Sequence, residues 1–234
     1  WQTGAYTVHL NMQEYIWDGI KRDRLVWIGD LHPEVMTVNT VFGYNEVIPK
    51  SLDFIRDATP LPGWMNGMCS YSIWWLLIQR DWYYYQGDLA YLKEQKDYLT
   101  GLLRLLISKV GDDGVEMLQA MKAGNELCKV LGEDALAAEC EAVGNRMTKA
   151  ASKVIKPFLK SGVAPDAPGS KQAASLLALA GLMKPEEADR RYLAVNGGHG
   201  FSTFYGYYML RAMAAAGNYQ GAIDVIRQFW GAML

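Results

Sequence analysis

Apolar residues recur at helical spacing along most of the chain. Between Ser70 and Gln86, the residues Tyr71, Trp74, Trp75, Ile78, Trp82 and Tyr85 form one apolar stripe. Gly87 then supplies a stop and Asp88 a cap. Leu89, Leu92, Leu99, Leu102, Leu103 and Leu106 carry on at the same period, so the two segments predict an antiparallel helical hairpin. The pattern returns from Val115 to Leu131, breaks at Gly132-Glu133 and resumes with Leu136, Cys140, Val143 and Met147. A helix from Ser170 to Ala180 ends at Gly181, and Pro185-Glu186-Glu187 starts a short one. Ser202 is the expected cap of an aromatic helix holding Phe204, Tyr205, Tyr207 and Tyr208. The last helix, Gln220 to Trp230, places Ala222, Val225, Ile226 and Phe229 on one face.

The first third is less regular. Alternation in Tyr6-Thr7-Val8-His9-Leu10 predicts a short strand or an extended lead-in within residues 1–16. Pro33-Glu34 opens a predicted helix that runs to Val41, and Asn45 caps another that reaches Arg56. Pro and Gly mark 59–64, 111–114, 162–169 and 197–200 as loops. About ten helices joined by short Gly-containing turns, with no fixed repeat, predict an all-α architecture of consecutive hairpins.

Composition adds exclusions. A net charge of −2 over 234 residues leaves no electrostatic footprint for nucleic acid. The longest apolar run, Ile73 to Ile78, is far too short for membrane insertion. The three cysteines suit neither a disulfide framework nor a metal-ligand spacing, so neither a metal nor a cofactor is expected. The aromatic content (8 Trp, 14 Tyr, 6 Phe) suits either a Trp-rich core or a cleft whose ring faces stack on sugars. Nothing in the composition assigns a compartment.

One stretch, Trp17 to Glu34, sets the carboxylates of Asp18, Asp23, Asp30 and Glu34 and the cations of Lys21, Arg22 and Arg24 among large apolar side chains. Charge in such company is costly unless it is paired or used. On spacing alone, Asp18 and Arg22 would also suit an exposed helical ion pair, and Glu34 a plain helix-start residue. The order Asp18-x-x-x-Arg22-Asp23-Arg24, followed by Trp27-x-Gly29-Asp30, resembles the acidic signature of the α-L-rhamnosidase family of inverting glycoside hydrolases. Weaker likenesses follow in order: Trp64, Tyr71–Trp74, Tyr83–Asp88, Gly200–Tyr208 and Phe229–Leu234.

The resemblance implies an (α/α)6 barrel of six helical hairpins, incomplete here: one catalytic domain over 1–234, truncated before its expected C-terminal part. It implies release of terminal rhamnose with inversion from an oligosaccharide, polysaccharide or glycoside. It sets Asp23 at the general-acid position, where many members have Glu. It gives Asp18, Arg22 and Asp30 to substrate binding, with Trp64, His32 and Glu34 as further candidates to line the pocket. Such chemistry needs one protonated and one ionised carboxyl, and close acidic neighbours keep a proton available near neutral pH. The family's general base lies in a Trp-Glu pair beyond Leu234. The short joins at Gly114-Val115 and Arg190–Tyr192 imply missing segments, an expectation that an intact mass matching this sequence would reject. The rivals are a six-hairpin glycosidase or lyase of other specificity and a non-catalytic carbohydrate-binding helical domain.

Overall fold

The computed structural model describes residues 1–109, 115–161 and 169–233, and these are helical with isolated bridges but no named strand. The loops expected at 111–114 and 162–168 lie outside the described residues. The helices are α1 (Gln2–Asn11), α2 (Ile28–Val41), α3 (Val47–Asp57), α4 (Cys69–Gln86), α5 (Leu89–Glu94), α6 (Lys96–Lys109), α7 (Val115–Val130), α8 (Asp134–Ser161), α9 (Ser170–Leu179), α10 (Pro185–Ala188), α11 (Gly206–Ala215) and α12 (Tyr219–Phe229). The all-α, helical-hairpin architecture expected from the sequence is the one observed. The chain divides into two compact units, Trp1–Gly111 with Gln119–Gly144, and Asp112–Leu118 with Asn145–Leu234.

In the first unit α2 and α4 form the main pair. Its core holds Val35, Val38, Ile48, Leu52, Trp75, Ile78 and Trp82, with Leu99, Leu102, Leu103 and Leu106 from α6. Of the predicted stripe of α4, Trp75, Ile78 and Trp82 are buried, Tyr71 and Trp74 are half-buried, and Tyr85 is exposed. Gly87 ends α4 at φ 66°, a left-handed conformation that glycine adopts without strain. The Asp88 side chain accepts the Tyr91 N–H at 3.0 Å as the expected cap. Asn45 bonds the Val47 N–H at 3.0 Å at the start of α3.

Three expectations need correction in this unit. Residues 2–11 form a helix rather than a strand, although none of its residues is buried. Thr7 Oγ1 and Asn11 Nδ2 donate to carbonyls four residues earlier, satisfying polar groups along its axis. Helix α2 starts at Ile28, six residues before the predicted Glu34, with Pro33 inside it. The leucine helix breaks at Gln95. That side chain, wholly buried, is held by Arg56 and Asp53. Asp53 accepts hydrogen bonds from Arg56, Tyr91 and Gln95.

In the second unit α9 and α11 pack most closely, around Leu177, Met183, Tyr192, Leu193, Phe201, Met209 and Met213. Lys171 is buried with them. Its Nζ donates to the carbonyls of Leu193, Val195 and Gly197 at 3.2, 2.7 and 2.7 Å and sits 4.9 Å from the Phe201 ring centre. Burial lowers its pKa to about 8. Phe201 also meets Phe229 and Trp230, so the two late segments of the resemblance touch each other. Two expectations fail here. Ser202 does not cap α11, which begins at Gly206; its hydroxyl is buried without a hydrogen-bond partner among the described residues. Ile226 is 43% exposed, while Ala222 and Val225 make the buried face of α12.

Candidate active site

The acidic stretch is a tight loop delivered onto the first turn of α2. Asp18 and Leu25 form an isolated antiparallel bridge, with the Asp18 N–H on the Leu25 carbonyl at 3.0 Å. Between them the chain turns on Gly19 at φ 56°, whose carbonyl accepts the N–H groups of Arg22 and Asp23. Trp27 precedes the helix in extended conformation, and its carbonyl accepts the Leu31 N–H at 2.8 Å. Asp30 and Glu34, four residues apart, share one face of α2.

A residue missed in the sequence ties this loop to the next one. Asn66, at φ 50°, accepts the Ile28 N–H and donates to the Val26 carbonyl, both at 3.1 Å. The turn dipeptide Asn66-Gly67 was the available signal. Trp64, half-buried, lies two residues away on that loop. Gly29 is equally constrained, because the rings of Trp74 and Tyr71 press against its α-carbon.

The candidate residues separate into three electrostatic groups. Asp23 is bound bidentately by Arg22, with Nε to Oδ1 at 2.8 Å and Nη2 to Oδ2 at 2.7 Å. These hydrogen bonds hold its carboxyl below the ordinary value and raise the guanidinium in turn. The Trp27 indole N–H acts on Asp23 in the same direction while falling short of hydrogen-bond geometry. Asp23 is thus an ionised acceptor in this arrangement.

Asp18, Asp30 and Glu34 are different: none forms an ion pair among the described residues. Burial, with the charge of Asp18, raises the Asp30 carboxyl, against its own backbone N–H. Burial, with the charges of Asp18 and Asp30, pushes Glu34 up to about 8. Glu34 therefore holds a proton at neutral pH, while Asp23 does not. No group of three or more Asp, Glu, His or Cys among the described residues is arranged to hold a metal ion.

His32 does not join the others. It is 2% exposed and faces α4, with Nε2 at 3.0 Å from Asp81 Oδ2. Burial alone would raise Asp81. The hydrogen bond from His32 and the charge of Arg80, bound to Oδ1 at 2.8 Å, overcome it and hold Asp81 at about 2. The carboxylate is ionised, so the His32 nitrogen donates. The expected pocket-lining histidine is a buried brace between α2 and α4.

No family model and no curated protein matches this sequence. Among solved structures, the chain is similar to a GH78 family rhamnosidase of Bacillus sp. GL1, with a TM-score of 0.83 at 18% identity. The likeness covers 98% of this chain and 29% of that one. At that identity the likeness shows a shared fold, an all-α arrangement of helical hairpins.

Proposed function

We propose that this chain carries the acid side of a glycoside hydrolase site that releases rhamnose with inversion. The observation that supports the reading is three unpaired carboxylates, Asp18, Asp30 and Glu34, brought together at the start of α2 in a fold shared with a rhamnosidase. Carboxyl oxygens at Asp18 and Asp30 accept hydrogen bonds from sugar hydroxyls. Glycosidic cleavage needs a proton on the departing oxygen and a water activated from the opposite face. The motif position gives the first task to Asp23. In the present geometry Asp23 takes up a proton only when Arg22 leaves it. Arg22 is 81% exposed, so its pair with Asp23 is screened by solvent and an incoming substrate displaces it. Glu34 is the neighbouring carboxyl that already holds a proton. The water-activating carboxylate comes from outside this cluster, since all its members lie on one local segment.

The experiment is hydrolysis of an alkyl rhamnoside and of p-nitrophenyl α-L-rhamnoside by the complete protein carrying Asp23→Asn or Glu34→Gln. Removing the acid should lower turnover of the alkyl substrate by roughly 10²–10⁴-fold, and of the activated aryl substrate far less. Equal turnover by wild type and Asp23→Asn on both substrates would reject Asp23 as the donor. Rhamnose binding without hydrolysis would favour a saccharide-binding role.

A further inference from the structure

A concavity lies in the first unit, apart from the acidic stretch. It is a cleft of about 1050 Å³ between residues 13–15 and the segment from Tyr44 to Ala58, and none of Asp18, Asp23, Asp30 or Glu34 lines it. Asp30 and Glu34 lie in the first half of α2, whereas Tyr44 and Asn45 follow its end, which is about 16 Å from Asp30 and about 10 Å from Glu34 along the helix axis.

The lining combines rings and acceptors. Tyr15 and Phe54 stack with centres 4.6 Å apart, and Phe54 is 38% exposed. Tyr44, 55% exposed, rises from the opposite rim and rests against Trp82 at 5.4 Å. Tyr44 and Phe54 keep part of their rings at the surface, where a bound ligand can meet them. The polar lining leans acidic, with Glu14, Glu46, Asp53 and Asp57 against Lys50; Lys50 pairs with Glu46 at 3.2 Å, and the adjacent Arg56 bonds both Asp53 and Asp57 at 2.8 Å. Glu14 forms no ion pair among the described residues and, with the Asn45 amide, offers hydrogen-bonding groups at the rim. This acidic excess gives an anion no purchase, and its carboxylates serve as acceptors for hydroxyl donors. Aromatic faces beside carboxylate and amide groups fit a ligand with apolar C–H faces and many hydroxyl donors.

We infer that this cleft is a second saccharide-binding site, taking a neutral pyranoside on Tyr15, Phe54 and Tyr44, with Glu14 and Asn45 on its hydroxyls. It stands independently of the catalytic reading.

The test is titration calorimetry and ligand-detected NMR with methyl α-L-rhamnopyranoside and, as a rhamnose-free probe, maltotriose. An Asp18→Asn, Asp30→Asn background disables the acidic site. In that background at least one of the two saccharides should still bind. Adding Tyr44→Ala and Glu14→Gln, both exposed positions, should weaken it at least tenfold with an unchanged circular dichroism spectrum. Complete loss of binding in the background protein would overturn the inference. So would binding indifferent to Tyr44→Ala and Glu14→Gln, or binding of spermidine with no saccharide bound. Saccharide held in the cleft of a protein that hydrolyses no rhamnoside would reject the catalytic proposal and leave this one standing. Hydrolysis with no Tyr44-dependent binding would do the reverse.

Discussion

The indole of Trp74 occupies the space that a side chain at Gly29 would need. A methyl group there would lie 2.7 Å from Trp74 Cε3 and 2.9 Å from Tyr71 Cε1. Gly29 immediately precedes Asp30, so the close approach of α4 to α2 fixes where that carboxylate emerges. Gly29→Ala should destabilise the protein by about 1–3 kcal/mol through overpacking. It should also impair saccharide binding beyond what the stability loss explains. Thermal unfolding together with binding at a temperature where both proteins are folded checks this; an unchanged melting temperature would show that Trp74 gives way freely.

Glu34 makes stability depend on pH in an unusual direction for a carboxyl. Its folded-state pKa of about 8 lies above the ordinary 4.5, so the folded protein keeps a proton that the unfolded chain releases. The contribution is fully present below pH 4.5 and is lost as pH rises through about 8. The loss amounts to roughly 1.4 kcal/mol per pH unit across that window. Glu34→Gln should flatten this limb and be the more stable protein at pH 8. Denaturant unfolding at pH 5, 6.5 and 8 measures it, and parallel profiles for the two proteins would refute it.

Asp81 works in the opposite sense. Held at about 2 against an ordinary 3.8, it contributes stability above pH 3.8 that disappears as pH falls through 2, worth about 2 kcal/mol. At neutral pH Asp81→Asn leaves Arg80 and His32 facing a neutral amide in a buried position. Breaking such a pair is expected to reduce stability by about 3–5 kcal/mol. Chemical denaturation at pH 7 and pH 3 distinguishes this from a solvent-screened pair, which would show less than about 1 kcal/mol at either pH.

Lys171 organises residues 193–201 by donating to three of their carbonyls. Lys171→Met keeps the aliphatic stem and removes every donor, leaving buried carbonyls unsatisfied at about 1–3 kcal/mol each. Hydrogen exchange in Ala194 to Gly200 should accelerate more than in α9 or α11. Uniform acceleration across the second unit would mean instead that Lys171 supports only global stability.

Much of the fold was legible because helical periodicity and its punctuation agree: Gly87, Asp88, Asn45 and Gly181 all stand where helices start or stop. What was missed has physical causes. Residues 2–11 bury nothing, so they carry no amphipathic signal, and their alternation imitated a strand. Pro33 reads as a first-turn residue, yet a helix can carry proline in its interior when its neighbours allow, so the start at Ile28 was hidden. Gln95 breaks a leucine-rich run through long-range bonds to α3, which local pattern does not encode. In the acidic stretch, residue types marked a site, but the division of labour did not show. The unequal states of Asp23 and Glu34 arise from one guanidinium and from burial, both products of folding.

Asn66 has a consequence for motion. Its amide stands in for the neighbouring strand that Val26 and Ile28 lack, meeting one carbonyl and one N–H as a sheet partner would. The segment bearing Trp64 is thereby geared to the base of α2: a shift of either drags the other, and slack in that single amide would be felt at Asp30.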